Sequence, residues 1–447
     1  MFPDIVLGAF IPLAIATFFV TSPLRAALAV MLGGAMFLPV GPFFHVPFLP
    51  PLNKHNLPIL CILIGCLLRC PGRMAKLPKE NWFLVLSLLA VVGGLVTGLT
   101  NGDAMTLNRA GTKFIVGLTA KDGLAQGVSL FIEACLTFFL GNALIRDQAS
   151  AQRMVAAFAL AGLIYAPLAL LEVRLSPQLH GWVYGIAFVS WEQTQRWGGY
   201  RPNVFMPHGL ALARFFMAAT LATFLLAKNR RRVFSLPALP VAWFLALVLV
   251  LCKSTGAIVL TLVGILLIWF LRPRAQLLFA AVTAVATMLY PLLRSANLFP
   301  VADILNVAGL IQADRQQSLW FRFVNEDMLL AHARERIAFG WGTYGRNAVY
   351  SSWGQNISVT DGYWIIVLGI AGIAGFLVAF GNLVVPVVLA RKRILACEDE
   401  RHRRLAAGLA VVVVLLTVDL IPNGLWDFYP FFMAGALLGQ FRGPKTA

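Results

Sequence analysis

The stretch Gly362–Ala390, GYWIIVLGIAGIAGFLVAFGNLVVPVVLA, contains no charged residue. It is longer than the roughly 20 residues that a membrane-spanning helix needs. Lipid offers no partner for backbone N–H and C=O groups, so a run of this kind is stable there only as helix. A transmembrane β-barrel would instead show short alternating segments, and none are evident.

Outward from it toward the C-terminus lie two more apolar runs, Leu405–Leu420 and Leu425–Phe441. Toward the N-terminus the runs are Ile5–Val20, Leu24–Val40, Leu57–Leu68, Trp82–Leu99, Gln126–Ile145, Met154–Leu171, His208–Ala227, Pro240–Cys252, Ala257–Leu271 and Gln276–Leu293. These total 13 candidates. We expect an all-α, polytopic integral membrane bundle of about 12–13 spans, forming one domain over residues 1–447. The short runs Leu57–Leu68 and Pro240–Cys252 are candidates for tilted, broken or re-entrant helices. Composition agrees: 59% of residues are hydrophobic and 12% charged, against roughly 25% charged in soluble domains. The mean hydropathy is +0.80.

Ile5–Val20 has no basic residue before it and no clear small-residue cleavage site, so it reads as a retained helix. Cys61, Cys66, Cys70, Cys135, Cys252 and Cys397 lack extracytoplasmic pairing and partner histidines. They read as buried small hydrophobes, forming neither a disulfide framework nor a metal site. The net charge of +17 is spread over short loops, so it points to topology and anionic headgroups and not to nucleic acid. Arg69–Lys79, Lys228–Arg232, Arg272–Arg274 and Arg391–Arg404 are the basic loops, expected to be cytoplasmic. Loops 101–125, 172–207, 294–361 and the turn Pro422-Asn423-Gly424 then face outside, and the C-terminus faces the cytoplasm. The side of the N-terminus stays open.

Before Gly362 comes the longest interval without a membrane-length run, the large loop 294–361. It holds Arg315, Arg322, Glu326, Asp327, Arg334, Glu335, Arg336, Arg346 and Asp361, with the turn Gly340-Trp341-Gly342-Thr343-Tyr344-Gly345. Ser318–Phe339 has helical spacing, with Leu319, Phe323, Leu330 and Ile337 on one stripe and Arg322 and Glu326 as an i, i+4 pair. An amphipathic helix over the outer membrane surface is expected. Loop 172–207 ends in Trp191-Glu192-Gln193-Thr194-Gln195-Arg196-Trp197-Gly198-Gly199-Tyr200-Arg201-Pro202-Asn203, just before a helix opening at His208.

Arg201-Pro202-Asn203, Lys253-Ser254-Thr255-Gly256-Ala257, Arg322, Gly340-Trp341-Gly342 and Asp361-Gly362-Tyr363-Trp364, followed by Gly369-Ile370-Ala371-Gly372-Ile373-Ala374-Gly375, occur in that order. This arrangement resembles the O-antigen ligase and Wzy-type polysaccharide polymerase superfamily, over roughly residues 200–380 in motif and the whole chain in layout. Ligases of that kind usually carry a functional His where this chain has Asp361, which favours a polymerase. The resemblance implies a bacterial inner-membrane glycosyltransferase with its active site facing the periplasm. Its donor and acceptor would be polyprenyl-pyrophosphate-linked glycans, with membrane lipids, a chain-length regulator and a flippase as further partners.

In that chemistry a glycan hydroxyl attacks an anomeric carbon and pyrophosphate departs, so cations at the leaving group matter most. Arginine grips phosphate oxygens with a forked, permanently charged group, which makes Arg201 and Arg322 the leading candidates and Arg346 the third. Asp361, Glu326 and His208 are candidate bases. Asn203 and Lys253 join them as substrate-binding residues through the motifs above. Tyr200, Trp191, Trp341, Tyr344 and Trp353 offer faces for sugar stacking. No cofactor or metal is required, and no DxD motif lies in an outer loop; Asp419 and Asp427 are too far apart to form one.

Each residue also has a structural reading: belt aromatics, lipid-phosphate pairing for the arginines, helix capping for Asp361 and an interfacial anchor for His208. Glu133 is the one carboxylate deep within an expected span, with Asn142, Lys113 or Arg109 as its expected structural partner. Two alternatives to a polymerase stand: a ligase moving glycan to lipid A core, and a lipid-linked oligosaccharide flippase or transporter, for which Glu133 would mark a proton path.

Overall fold

The computed structural model describes residues 2–46, 49–76, 78, 80–186, 194–311, 313–425 and 427–442. The chain is an all-α polytopic bundle. Among the described residues, its helices of eleven residues or more are α1 (Phe2–Val20), α2 (Pro23–Phe37), α3 (Leu57–Arg69), α4 (Asn81–Thr100), α5 (Ala120–Leu144), α6 (Gln148–Leu175), α7 (Gly209–Lys228) and α8 (Ala238–Leu251). They continue as α9 (Thr255–Phe270), α10 (Pro273–Ser295), α11 (Val301–Ile311), α12 (Ala313–Arg334), α13 (Tyr363–Leu395), α14 (Glu400–Asp419) and α15 (Tyr429–Gly439). Every apolar run found in the sequence falls on one of these helices. By length and composition, 7 of them can cross a membrane: α1, α4, α5, α6, α7, α10 and α13. Among the described residues, named strands are confined to short hairpins such as Gln195–Arg196 with Gly199–Tyr200.

Loop contacts sort the bundle into two ends. At one end Lys54 Nζ donates to Leu38 O and to Phe205 O (2.6 Å each), Arg346 Nη1 to Asp103 O (3.0 Å) and Arg322 Nη1 to Pro422 O (3.1 Å). The long loops therefore meet there. Phe2 stacks on Tyr184 at 6.3 Å, which places the N-terminus at that same end. At the other end Glu80 receives Arg393 (2.6 Å) and Arg442 (3.2 Å), gathering the basic loops and the C-terminal residues. Helix α7 is the hub: it packs on α6, α8, α9 and α14, and 89% of its most apolar window is buried.

Two irregularities shape the interior. Helix α5 changes to π-helix over Phe131–Leu136, and such bulges cluster at functional sites. Helix α13 breaks at Gly372, whose φ is +65°, nine residues or roughly 13 Å below its start. The chain after α12 enters this break. Ile373 N donates to Ile337 O (2.8 Å), Ala374 N to Ala338 O (3.1 Å), Trp341 N to Gly369 O (2.8 Å) and Gly342 N to Ile370 O (2.9 Å). Thr97 Oγ1 and Asn101 Nδ2 of α4 complete the pairing at Phe339 O (2.6 Å) and Gly340 O (3.1 Å). These pairings give the freed backbone groups they involve partners within the protein, as irregular backbone among apolar helices requires.

The expected helix over Ser318–Phe339 is thus displaced. It runs Ala313–Arg334, and beyond it the carbonyls of Ile337 and Ala338 accept from α13 while Gly340 N–H turns back to Arg336 O (2.8 Å). The expected Arg322–Glu326 pair does not form, since each side chain finds a partner on another element. Asp361 is not the cap of α13; Gly362 holds that position without a side-chain cap. Four cysteines are buried as expected, while Cys70 and Cys397 are partly exposed.

A Cβ at Gly372 would lie 2.4 Å from Ala338 C and O, and one at Gly340 would lie 2.5 Å from Ile370 C and O. Both positions also need positive φ, so Gly372→Ala and Gly340→Ala should each cost about 2–3 kcal/mol or more. Thermal unfolding in detergent should show a lowered Tm for both. Gly33→Ala, where a Cβ meets nothing within 4 Å, should leave Tm unchanged or slightly raised.

Candidate functional site

The turn between α14 and α15 organises the long-loop end. Tyr363 N donates to Leu420 O (2.9 Å) and Asn423 O (3.2 Å), which fixes the start of α13 to the end of α14. Arg214, fully buried on α7, reaches the same turn. It donates to Leu425 O (3.0 Å) and Leu416 O (2.9 Å) and lies 3.6 Å from Asp419, whose other oxygen accepts from Asn423 (2.8 Å). Removing either member of such a buried pair would leave an uncompensated charge and strongly destabilise the bundle.

Arg322 approaches this turn from α12. Its Nε lies 3.6 Å from Asp361 and its Nη1 donates to Pro422 O. Both side chains remain about one-third exposed, at 29% and 33%. The guanidinium has five N–H donors, and these contacts involve Nε and Nη1. Burial raises the Asp361 carboxyl above the usual carboxylate range, with the Arg322 charge pulling the other way. A cation and a basic carboxylate therefore sit together at an accessible position.

A second group forms where the hairpin Gln195–Tyr200 meets the junction of α8 and α9. Lys253 holds a left-handed backbone (φ 53°) and its Nζ donates to Arg196 O (2.9 Å), while Arg201 Nη2 donates to Lys253 O (3.1 Å). The methylenes of Arg201 lie against Gly209, where a Cβ would meet them at 2.4 Å. His208 caps α7, its Nδ1 accepting from Leu210 N–H (3.1 Å). Burial and then the charges of Arg201 and Arg196 push His208 down to about 4. It is neutral at pH 7 with Nδ1 already engaged, so it serves as a cap and not as a base. Burial also lowers Lys253 from its ordinary value. Arg201, Tyr200, Lys253 and His208 are thus brought together. Helix α7 links this group to the other, with His208 at its start and Arg214 six residues, or roughly 9 Å, further along.

The structure withdraws several candidates. Glu326 turns inward, 3.3 Å from Arg294, and accepts from Tyr290 Oη (2.9 Å) and Trp364 Nε1 (3.3 Å). It ties α10, α12 and α13 together and is not presented to a substrate. Arg346 is 0% exposed and holds the carbonyls of Trp341, Asp103 and Val116, so its charge is spent on joining two loops. The Trp341 ring is stacked on His332 at 4.3 Å with Arg336 over it at 4.8 Å, which leaves it poorly placed for a sugar. Asn203 is buried in a turn whose N–H groups at 203 and 204 bond to Glu172 (2.8 and 2.6 Å). Tyr344, 65% exposed with its hydroxyl on Asp122 (3.0 Å), and Trp353, 78% exposed, remain open platforms. Trp191 lies outside the described residues.

Glu133 also differs from expectation. Asn142 donates to Gly435 O (3.3 Å), and Lys113 and Arg109 belong to the loop end; Glu133 instead accepts from Ser129 Oγ (3.0 Å). Arg214, Glu172 and Lys54 escaped the sequence reading, and Asp419 entered it only as a rejected half of a DxD pair. Arg214 and Asp419 each carried a signal, as the single charge within an otherwise apolar run.

No protein-family model matches the sequence, and no curated protein is significantly similar to it.

Glu326→Ala should leave the buried Tyr290 and Trp364 donors unpaired and Arg294 with Asp327 alone (2.6 Å), and cost about 3 kcal/mol, whereas Arg322→Ala should stay within about 1 kcal/mol because its pair is partly solvated. Denaturant unfolding of both variants in detergent measures the contrast. Equal losses would place Arg322 in the scaffold.

Proposed function

We propose that the chain is a membrane glycosyltransferase that polymerises polyprenyl-pyrophosphate-linked oligosaccharide repeat units at the outer face of a bacterial inner membrane. The observation that carries this reading is the accessible Arg322–Asp361 pair. A half-engaged guanidinium is suited to neutralise the departing pyrophosphate. The carboxylate beside it, made more basic by burial, is suited to accept the proton of the attacking hydroxyl. Arg201 and Lys253 add cationic character from a second element, and Tyr344 and Trp353 offer rings to the glycan. The motif order that resembles the O-antigen ligase and polymerase superfamily supports the same reading, as does the meeting of Arg201, Lys253 and His208.

In this reading the glycan hydroxyl gives its proton to Asp361 as its oxygen bonds to the anomeric carbon. The bond from that carbon to the pyrophosphate oxygen breaks, and the leaving group departs against Arg322 and Arg201. Pyrophosphate needs little protonation to leave, so the design weight falls on fixed cations. A ligase would perform the same bond exchange on a different acceptor, and only the product distinguishes the two.

The test is reconstitution of the full chain with a short lipid-linked repeat unit and mass analysis of the lipid-linked products. A ladder spaced by one repeat is expected. Transfer only to a supplied lipid A core would make the protein a ligase, and neither product would remove the enzyme reading. Arg322→Ala and Arg201→Ala should each lower the rate by about 10²-fold or more, and Arg322→Lys should restore it only in part because a point charge loses the fork.

The pH dependence has a definite sign. Asp361 accepts a proton only when ionised, so the kcat/KM of the wild type should fall as pH drops through the raised value of that carboxyl. Asp361→Asn should lose that acidic limb and run about 10²-fold slower throughout.

A further inference from the structure

A cavity of about 220 Å³ lies between α4, α5 and α13, beside the π-helical segment of α5 and the break in α13. Its wall is mostly apolar, with Thr343 and Tyr363 at the loop end and Glu133 deeper in the bundle. Gln126, Ser129 and Glu133 all line it. Spaced by three, four and seven residues, they share one face of α5.

The hydrogen bonding within this trio leaves acceptors in excess. Ser129 Oγ donates its one proton to Glu133 Oε1 (3.0 Å). Gln126 Nε2 donates to Ile370 O (3.2 Å), beside the break in α13, and this orientation leaves Gln126 Oε1 buried without a partner among the described residues. No cationic side chain pairs with Glu133 among the described residues. Tyr363 from α13 also lines the cavity, and on α5 itself Cys135, two residues after Glu133, accepts from Asn382 (3.4 Å). The α4 wall, Leu89, Ala90, Gly93 and Gly94, adds no charge, and α3 and α15 contribute nothing to the wall. A carboxylate in this setting is costly without a positive partner, and the unmatched amide oxygen calls for a donor or cation as well.

We propose that Gln126, Ser129 and Glu133 form an oxygen-lined site within the membrane for a single monovalent cation, either a proton or a sodium-sized ion. The guest would neutralise Glu133 and engage the Gln126 oxygen. Because Gln126 also holds the carbonyl beside the break at Gly372, occupancy of the site would be felt at the re-entrant segment Ile337–Gly342. This site is separate from Arg322 and Asp361, and its test needs no glycan substrate.

The test is labelling of the full chain in liposomes with dicyclohexylcarbodiimide, which reacts with protonated carboxyls in apolar surroundings. The carboxyl proton passes to one carbodiimide nitrogen and the carboxylate oxygen bonds to the central carbon; the adduct rearranges to a stable N-acylurea with no oxidant or reductant. Peptide mass analysis should place the adduct on Glu133 and lose it in Glu133→Gln. Labelling should slow several-fold either as pH rises, normalised to a lipid-soluble carboxylic acid in the same vesicles, or on addition of sodium chloride but not choline chloride. The first outcome assigns a proton and the second a sodium-sized ion. Gln126→Leu and Ser129→Ala should each shift the half-effect pH or sodium concentration by about tenfold. Absence of the adduct, labelling indifferent to both pH and sodium, or no shift in both neighbouring variants would overturn the proposal.

Discussion

Backbone polar groups inside a membrane must be bonded within the protein, and the pairing of Ile337–Gly342 with Gly369–Ala374 is how this chain meets that demand while breaking a helix. Everything at the loop end is referenced to that seam. It fixes how far α13 descends before it turns and where the chain leaving α12 re-emerges. Glycines at 340, 342 and 372 permit it, because their backbones are left-handed and two of them touch another backbone directly. With the seam set, Thr97 and Asn101 lock α4 to it, and Gln126 extends the contact to α5. The cavity beside Glu133 is the space left by this arrangement.

Charge is used in two distinct ways. Arg214, Arg294 and Arg346 are buried and have their donors directed at carboxylates and carbonyls, so they join helices and loops. Arg322 is partly exposed and only half engaged. The same residue type therefore serves as rivet and as ligand-facing cation, and burial together with donor occupancy separates the two roles.

The helical layout was legible because long apolar runs have only one stable form in lipid, and the basic loops marked one end of the bundle as charge bias dictates. The positions of Arg322 and Asp361 were legible as candidates, but their contact was not. Helical spacing suggested that Arg322 would reach Glu326; four residues bring two side chains onto one face, yet Arg294 and Tyr290 on another helix compete for the same carboxylate. Asp361 looked like a cap because Asp fills that role well, but the helix begins one residue later than the apolar run suggested. Gly369–Gly375 read as uninterrupted helix, since small residues at such intervals fit helix packing as readily as a break. Arg346 and Trp341 looked available for binding because nothing in their neighbours reveals that Asp103 and His332 fold onto them.

The tie between Arg214 and the turn after α14 spans 202 and 211 residues of sequence. During synthesis α7 is made long before Leu416, Asp419 and Leu425 exist. At ribosomal speeds of about 5–20 residues per second, that interval is roughly 10–40 s. For that period the guanidinium must be met by water, lipid headgroups or the insertion machinery, so α7 cannot settle into its final central place until α14 and the turn after it arrive. The hub of the finished bundle is thus among the last elements to be locked during biogenesis, and a chain truncated before α14 would leave the Arg214 charge without its carboxylate.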